Sequence, residues 1–587
     1  MCYYSEKKMG LPRAIQAHAA NQLEEAEIHY RRTYSQGITN EIFYQNFGAL
    51  LKKLGKTDES ALLFEEGIKL YPKHAGIKRN YANQLRNVQP TYAVELYLDA
   101  IHLLLSNSDE LEMLSNCFDD LVDLFRQLRL FHWARSLIKI SLRIQTVSPL
   151  ILKNLLLILD ELDVSSGSKT TVLAAINSEL NVANLKDAVS LDFALAEHYL
   201  HSSHHERSLY HFEKALNRVQ SSPHINVDDG PELQKVIDTN SWNYACTLLP
   251  LNQLERGWSL YDHGLTTHAD GQQKWQRALV KPFTATQLKI WRGQNDPAHR
   301  LLLLEEQGIG DTMMFLSLIP KLLSETKHLG ILLSPRLEPI YKLSFSKDIS
   351  DRKITIYNQN DLAENRLNPT DFDSQIPLGS ICQHRFIDIN SYSPRVPVLV
   401  ADETRSTEMR QDYLKDRDTV KCLVGVSWRG GGRGKRIKQK SLNVELFGQL
   451  MRKHPHIRFI DLQYGETADQ VKSWRDSGID IIHDPRINPL KDMYSWLSQV
   501  NVCDAVISVA NTTIHGAGGL NIPTQCLLSI HSDWRWLADS QVSRSYWYPS
   551  VGIAREQKNV PDPWSNALHL VSEWLSNQCP MPSGPIQ

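Results

Sequence analysis

Up to residue 265 the apolar positions of the chain return every three or four residues, the spacing of one buried helix face. Segments such as SLDFALAEHYL (190–200) and SLYHFEKAL (208–216) show it. From residue 298 the pattern changes. Apolar residues gather into short runs at 300–306, 328–334, 353–357, 422–428, 457–463, 478–484, 504–510 and 524–530, with helical segments between them. Such alternation predicts parallel sheets covered on both faces. A strand-poor stretch from about 358 to 419 divides the runs into two sets, hence two sheets.

The helical part repeats itself. NQLEEAEIHYRRTY (21–34) lies over GKTDESALLFEEGI (55–68), about 34 residues on, so that Ala26 falls on Ser60 and Tyr30 on Phe64. A third copy has Ala93 and Tyr97 in the same places, with Ala100 one turn later. A small residue lets two helices approach, and an aromatic one four positions on fills the gap beside it. This pattern resembles the tetratricopeptide repeat, with first helices such as 42–55 and a turn at YPKH (71–74). The stretch 240–262 reads as one last copy, with Gly257 and Tyr261 as the small and aromatic pair. The expected organisation is tetratricopeptide repeats over 1–105, degenerate helical repeats over 106–265 and a polar linker over 266–297. Two α/β domains then follow, over 298–410 and 411–587. A solenoid of this kind presents a concave surface to a protein or peptide, or serves as a dimerisation arm.

At 587 residues the chain exceeds what one core supports, in keeping with several domains. A formal net charge of −2 supplies no global attraction to nucleic acid or an acidic membrane, so any basic site must be local. Eight cysteines (Cys2, Cys117, Cys246, Cys382, Cys422, Cys503, Cys526 and Cys579) form no CxxC pair or metal-type cluster with histidine. They read as reduced thiols of a cytoplasmic protein. No run approaches the roughly 20 apolar residues of a membrane span.

In parallel sheets ligands gather at the carboxyl ends of strands, and three loops there carry candidate chemistry. EEQGIGDT (305–312) leads into an apolar helix; Gly308 and Gly310 permit tight turns, and Asp311 stands at the N-cap position. An aspartate there either caps the helix or faces the cleft as a base. The loop from Trp428 carries Arg429, Arg433, Lys435, Arg436, Lys438 and Lys440, with no acid between Asp418 and Glu445. Such donors suit a polyphosphate, or form a solvated basic loop. Stacking aromatics are not interleaved among them, which disfavours nucleic acid. In DAVISVANTTIHG (504–516) a strand ends at Ala510, and Asn511, Thr512 and Thr513 open a helix whose N-terminus suits a pyrophosphate. His515 lies on its first turn. No GxxxxGK[ST] occurs, which argues against a phosphate-loop hydrolase.

Taken in order, EQGIGDTMMFLSLIP, VGVSWRGG with KSLNVELF, FIDLQYG, VISVANTTIHGAGGLNIPT and DWRWLADSQVSRSYWYPSVGIAREQ resemble the ADP-heptose:lipopolysaccharide heptosyltransferase family. The likeness covers about 291–574. The whole chain resembles bacterial tetratricopeptide proteins that end in such a domain.

That resemblance implies an α-solenoid followed by an α/β GT-B fold of two Rossmann-like domains. It implies a metal-independent glycosyltransferase without a cofactor, moving a sugar from a nucleotide-diphosphate sugar to a protein or glycan acceptor selected by the repeats. Asp311 would be the base and Gln307, Gly308 and Gly310 the acceptor-side loop. Arg429, Arg433, Lys435, Asn511, Thr512, Thr513 and His515 would bind the donor. Helix 561–575 would pack across both domains, and the aromatics of DWRW and YWYP would serve as packing or as sugar platforms. Two positions depart from the family: Ala510 stands where an aspartate is common and Gly516 where leucine is frequent. The alternative is a non-catalytic scaffold with a degenerate GT-B domain.

Overall fold

A computed structural model describes residues 10–37, 39–105, 110–143, 149–162, 166–181, 184–222, 229–265, 282–392, 397–415, 422–431, 435–558 and 560–581. The chain falls into two compact units, 1–198 with 217–223, and 199–216 with 224–587. Among the described residues no helix is long and apolar enough to cross a membrane.

The first unit is a stack of antiparallel helix pairs. Leu23–Ser35 follows Gly10–Ala19, Thr57–Leu70 follows Glu41–Lys53, and Pro90–Leu105 follows Ala75–Leu85. The pairs read from sequence, Ala26 with Tyr30, Ser60 with Phe64 and Ala93 with Tyr97, are all fully buried. Their mechanics are direct: an added Cβ at Gly48 would come within 2.4 Å of the Phe64 ring, and one at Gly67 within 2.8 Å of Tyr44. In the looser middle, helix Phe131–Arg143 keeps the small Ala134 but carries Ile138 four residues on, and both are buried.

The second unit opens with helical segments of its own. In His205–Gln220 the buried Ser208 and Phe212 repeat the small-aromatic spacing, although the sequence there showed only a helical period. Asp229–Leu248 and Leu254–Tyr261 follow as a pair. Gly257 packs so tightly that a Cβ would lie 2.6 Å from Leu249. Further on, Phe283 and Leu288, inside the stretch taken as linker, join Leu302, Leu304 and Leu332 in a small core on the first sheet.

Two all-parallel sheets form the rest, each with the strand order of a Rossmann-like domain. The first comprises β1 (Arg300–Leu304), β2 (His328–Leu332), β3 (Ile354–Tyr357) and β4 (Ser374–Pro377), in the order β3-β2-β1-β4. The second comprises β5 (Leu423–Ser427), β6 (Arg458–Asp461), β7 (Ile481–Ile482), β8 (Ala505–Val509), β9 (Thr524–Leu528) and β10 (Val551–Arg555). Its order is β10-β9-β8-β5-β6-β7.

Strands β4 and β10 lie where the apolar pattern showed none. β4, SQIP, takes its place because β1 needs a second neighbour, pairing Leu301 with Ser374 through to Leu304 with Pro377. The side-chain amide of its buried Gln375 donates to the carbonyls of Phe283 and Leu288, at 3.0 and 2.9 Å. Strand order reverses between β1 and β4 in one sheet and between β5 and β8 in the other, and crevices for ligands open at such points.

Two expectations change. Cys422, just before β5, and Cys579 are joined in a disulfide with Cα atoms 5.9 Å apart, so not every cysteine is a free thiol. A span of 157 residues separates the two, a pairing that only folding reveals. The last helix is Ser565–Gln578. It buries Ala567, Val571 and Leu575 with Val424 and Phe459, in the core of the second sheet and not across both domains.

Candidate active site

β1 delivers the chain to the first loop. Gln307 takes a left-handed backbone (φ 60°), while Gly308 is extended and precedes helix Ile309–Leu316. Asp311 is therefore the third helical residue and not the N-cap, because Ile309 and Gly310 already belong to the helix. Its Oδ2 accepts from the Gly308 N–H at 3.2 Å, and its side chain is 15% exposed. The glycines do not make the turn, since neither has a positive φ.

Gly310 has another reason to lack a side chain: a Cβ would lie 3.0 Å from His515 Cδ2 and 3.4 Å from Thr512 Oγ1. The helix after β1 thus begins directly against the helix after β8, Thr512–Gly519. Gly308 would meet only the Asp311 carboxylate, at an ordinary 3.4 Å. Beside them Glu305 accepts from the Ser334 N–H, and burial raises its carboxyl above the usual range.

On the donor side the structure spends several of the expected ligands on itself. Asn511 caps its own helix, its Oδ1 accepting from Thr513 N at 2.9 Å. Its amide donates to Ser427 Oγ at 2.7 Å and to the Arg429 carbonyl at 3.1 Å. Thr513 is buried and Thr512 half-buried. Arg429 turns its guanidinium over the Tyr464 ring, 5.6 Å from the centroid, and donates to the Tyr464 carbonyl. Arg433 lies outside the described residues. Lys435 begins a short helix, Lys435–Gln439, and its side chain also lies outside them.

His515 is buried beside Tyr548, with Nδ1 3.3 Å from the hydroxyl. Burial pushes its pKa down to about 4, against the pull of Asp311. At neutral pH it offers a hydrogen bond and no charge. Gly516 owes its place to Trp496, whose indole would lie 2.7 Å from a Cβ there. A leucine would not fit.

The residues that join the two sides were missed at the sequence level. Arg535 pairs with Asp311 Oδ1 and, at 3.0 Å, with Asp533, which in turn holds Lys440 at 2.7 Å. Four alternating charges thus run from the acceptor-side loop to the basic loop. Burial opposes the Asp533 charge, but Arg535 and Lys440 outweigh it and hold the carboxyl well below its usual range. Burial likewise opposes the Arg535 charge, and Asp311 and Asp533 keep it protonated. The signal was present in DWRW, whose charged residues matter here while Trp534 and Trp536 are buried packing.

Gln463, after β6, was missed too. Its Oε1 accepts from Ser427 Oγ and from the N–H groups of Trp428 and Arg429, at 3.0, 3.1 and 2.7 Å, fixing the turn after β5. Beyond it a cavity of about 220 Å³ opens at the ends of β6 and β7, lined in part by Asp461, Gln463, Thr467, His483 and Trp496. Asp461 accepts from Thr467, and His483 Nδ1 lies 2.9 Å from the same carboxylate.

No family model matches the chain. A curated relative, Protein FlbA of Caulobacter vibrioides, is 25% identical over 349 residues, which cover 54% of this chain and 52% of the relative. The chain spans about half the length of the curated relative it matches. Among solved structures, a glycosyl transferase of family 9 from Veillonella parvula matches at 9% identity and TM-score 0.32, over 46% of this chain and 89% of that one. The E. coli ADP-heptose lps heptosyltransferase II matches at 10% and 0.31, over 48% and 98%. A tetratricopeptide repeat protein from Parabacteroides merdae matches at 16% and 0.24, over 40% and 99%. The chain is similar to tetratricopeptide proteins and to family 9 glycosyltransferases, and its own strand orders make the α/β part a pair of Rossmann-like domains.

Proposed function

We propose that the α/β part transfers a sugar from a nucleoside-diphosphate sugar to a hydroxyl acceptor in the cleft where the two strand-order reversals meet. The observation that carries this reading is the contact of two helix starts, one bringing Asp311 and the other Thr512 and His515, made possible by Gly310. Asp311 takes the acceptor proton, displacing Arg535 from Oδ1 as the hydroxyl docks. The acceptor oxygen bonds to the anomeric carbon. The bond from that carbon to the diphosphate breaks, its electron pair leaving with the nucleoside diphosphate.

Arg429, released from the Tyr464 carbonyl as the donor docks, meets the leaving charge together with Arg433, Lys435 and the positive end of the Thr512–Gly519 helix, in the role a metal ion fills in other transferases. Neutral His515 adds a hydrogen bond. The cavity at the ends of β6 and β7 receives the nucleoside. The helical repeats select a protein or glycan acceptor.

A specific observation favours a second reading, an interaction scaffold without turnover. Ala510 supplies no carboxylate after β8, and both Asp311 oxygens are engaged. A panel of nucleotide-sugars separates the readings. The transferase should be stabilised against heat by one nucleoside diphosphate and should release it from the matching sugar. Asp311→Asn should lower that turnover by about 100-fold or more while sparing nucleotide binding. If no nucleotide binds at millimolar concentration, the transferase reading fails.

A further inference from the structure

Tyr261, the last residue of the helix Leu254–Tyr261, belongs by sequence to the helical repeats and by position to the candidate site. Its ring is fully buried. Its hydroxyl accepts from the side-chain amide of Gln307, the left-handed residue that opens the acceptor-side loop. The same amide donates to Glu306 Oε1 at 3.3 Å. The Gln307 Oε1 accepts from Arg535 at 3.3 Å, and Arg535 holds Asp311.

The neighbourhood leaves these groups little freedom. A Cβ on Gly379, after β4, would lie 2.3 Å from Glu306 Oε1 and 2.8 Å from the Tyr261 ring. Next to Tyr261, Asp262 accepts from Ser380 Oγ at 2.6 Å and from the Gln383 amide at 2.9 Å, tying the end of the repeat to the same sheet edge. A left-handed backbone is unfavourable for a residue with a Cβ, and the hydrogen bonds of the Gln307 side chain help offset that cost.

We infer that Tyr261 is a positioning residue for the transfer site, supplied by the helical repeat: it fixes Gln307, and through Gln307 the placement of Arg535 against Asp311. This inference rests on the transferase reading for its catalytic consequence, but the Tyr261–Gln307 bond can be measured without it. The repeat region thereby completes the acceptor-side loop.

The test uses the full chain and three variants, Y261F, Q307A and Y392F. Tyr392 accepts a hydrogen bond from Trp258 at 3.0 Å in the neighbouring aromatic cluster without reaching Gln307, so Y392F controls for loss of a buried hydroxyl bond. In urea unfolding, the double-mutant cycle of Y261F with Q307A should show coupling of about five-fold in the unfolding equilibrium. Additive effects would overturn the bond and the inference with it. With the nucleotide-sugar that the wild type turns over, Y261F should lower kcat about 10-fold and leave the donor KM within about two-fold, while Y392F leaves both unchanged. Equal losses in Y261F and Y392F would mean a merely structural hydroxyl and overturn the positioning role. If the wild type turns over no donor, the transferase reading falls alone, and the coupling decides whether the repeat holds the loop.

Discussion

Replacing Gly310 by alanine perturbs the contact on which the candidate site depends. The new Cβ would lie 3.0 Å from His515 Cδ2 and 3.4 Å from Thr512 Oγ1. Carbon atoms rest comfortably at about 3.5 Å or more, so the imidazole has to yield by about half an ångström. It is 8% exposed and sits beside the Tyr548 hydroxyl, so it cannot simply swing into solvent. Overpacking of this kind costs about 1–3 kcal/mol. Alanine's advantage over glycine in a helix offsets about 1 kcal/mol of that. The expected net loss is about 1 kcal/mol, near 2 °C in Tm for a unit of this size. Urea unfolding of the full chain measures it. In a His515→Ala background the obstruction is gone, and Gly310→Ala should then be neutral or stabilising by up to about 1 kcal/mol. A variant that stabilises the wild type, or costs the same in both backgrounds, would refute the close approach of the two helices.

Acid should destabilise the second unit through two buried histidines. Burial pushes both His515 and His205 down to about 4. The native rings stay neutral while the unfolded chain takes up protons, so their stability is complete above about pH 6.5 and is lost as pH falls toward 4. The loss is about 3 kcal/mol per ring at the acid end. H515Q and H205Q should each flatten the dependence of the urea midpoint on pH between 7 and 4.5, and unchanged slopes would contradict this. Removal of the Cys422–Cys579 disulfide, which spans 157 residues, should cost about 2–5 kcal/mol. Reductant should bring the wild-type Tm down to that of C579S and leave C579S unaffected; a wild type indifferent to reductant would speak against the bond.

Much of the fold is legible because burial leaves periods behind. The helical spacing and the pairs Ala26 with Tyr30 and Ser60 with Phe64 mark the repeat, since each pair fills one local gap between neighbouring helices. Strands β1, β5, β6, β8 and β9 show as apolar runs because both faces of a parallel sheet are covered. β4 leaves no such run: its residues are Ser, Gln, Ile and Pro, and it is a strand because β1 offers an unpaired edge. Within the site, Asp311 and the helix opening at Asn511 could be found from their place after apolar runs, Gln307 through the family resemblance, and Arg535 as part of DWRW. The partners of Gln307 and Arg535, and the parts played by Gln463 and Tyr261, could not, since they depend on residues far away in the chain.

By itself the sequence determined two periods, the order of the elements other than β4 and β10, and the three loops at strand ends, because these are local consequences of which side chains must leave water. Tertiary structure alone decided which loop residues remain available. It turned Asn511 and Arg429 inward, neutralised His515 by burial, paired Asp311 with Arg535 and joined Cys422 to Cys579. Hydrogen bonds and ion pairs depend on distances of about 3 Å between groups that can lie hundreds of residues apart, and only the folded chain sets those distances.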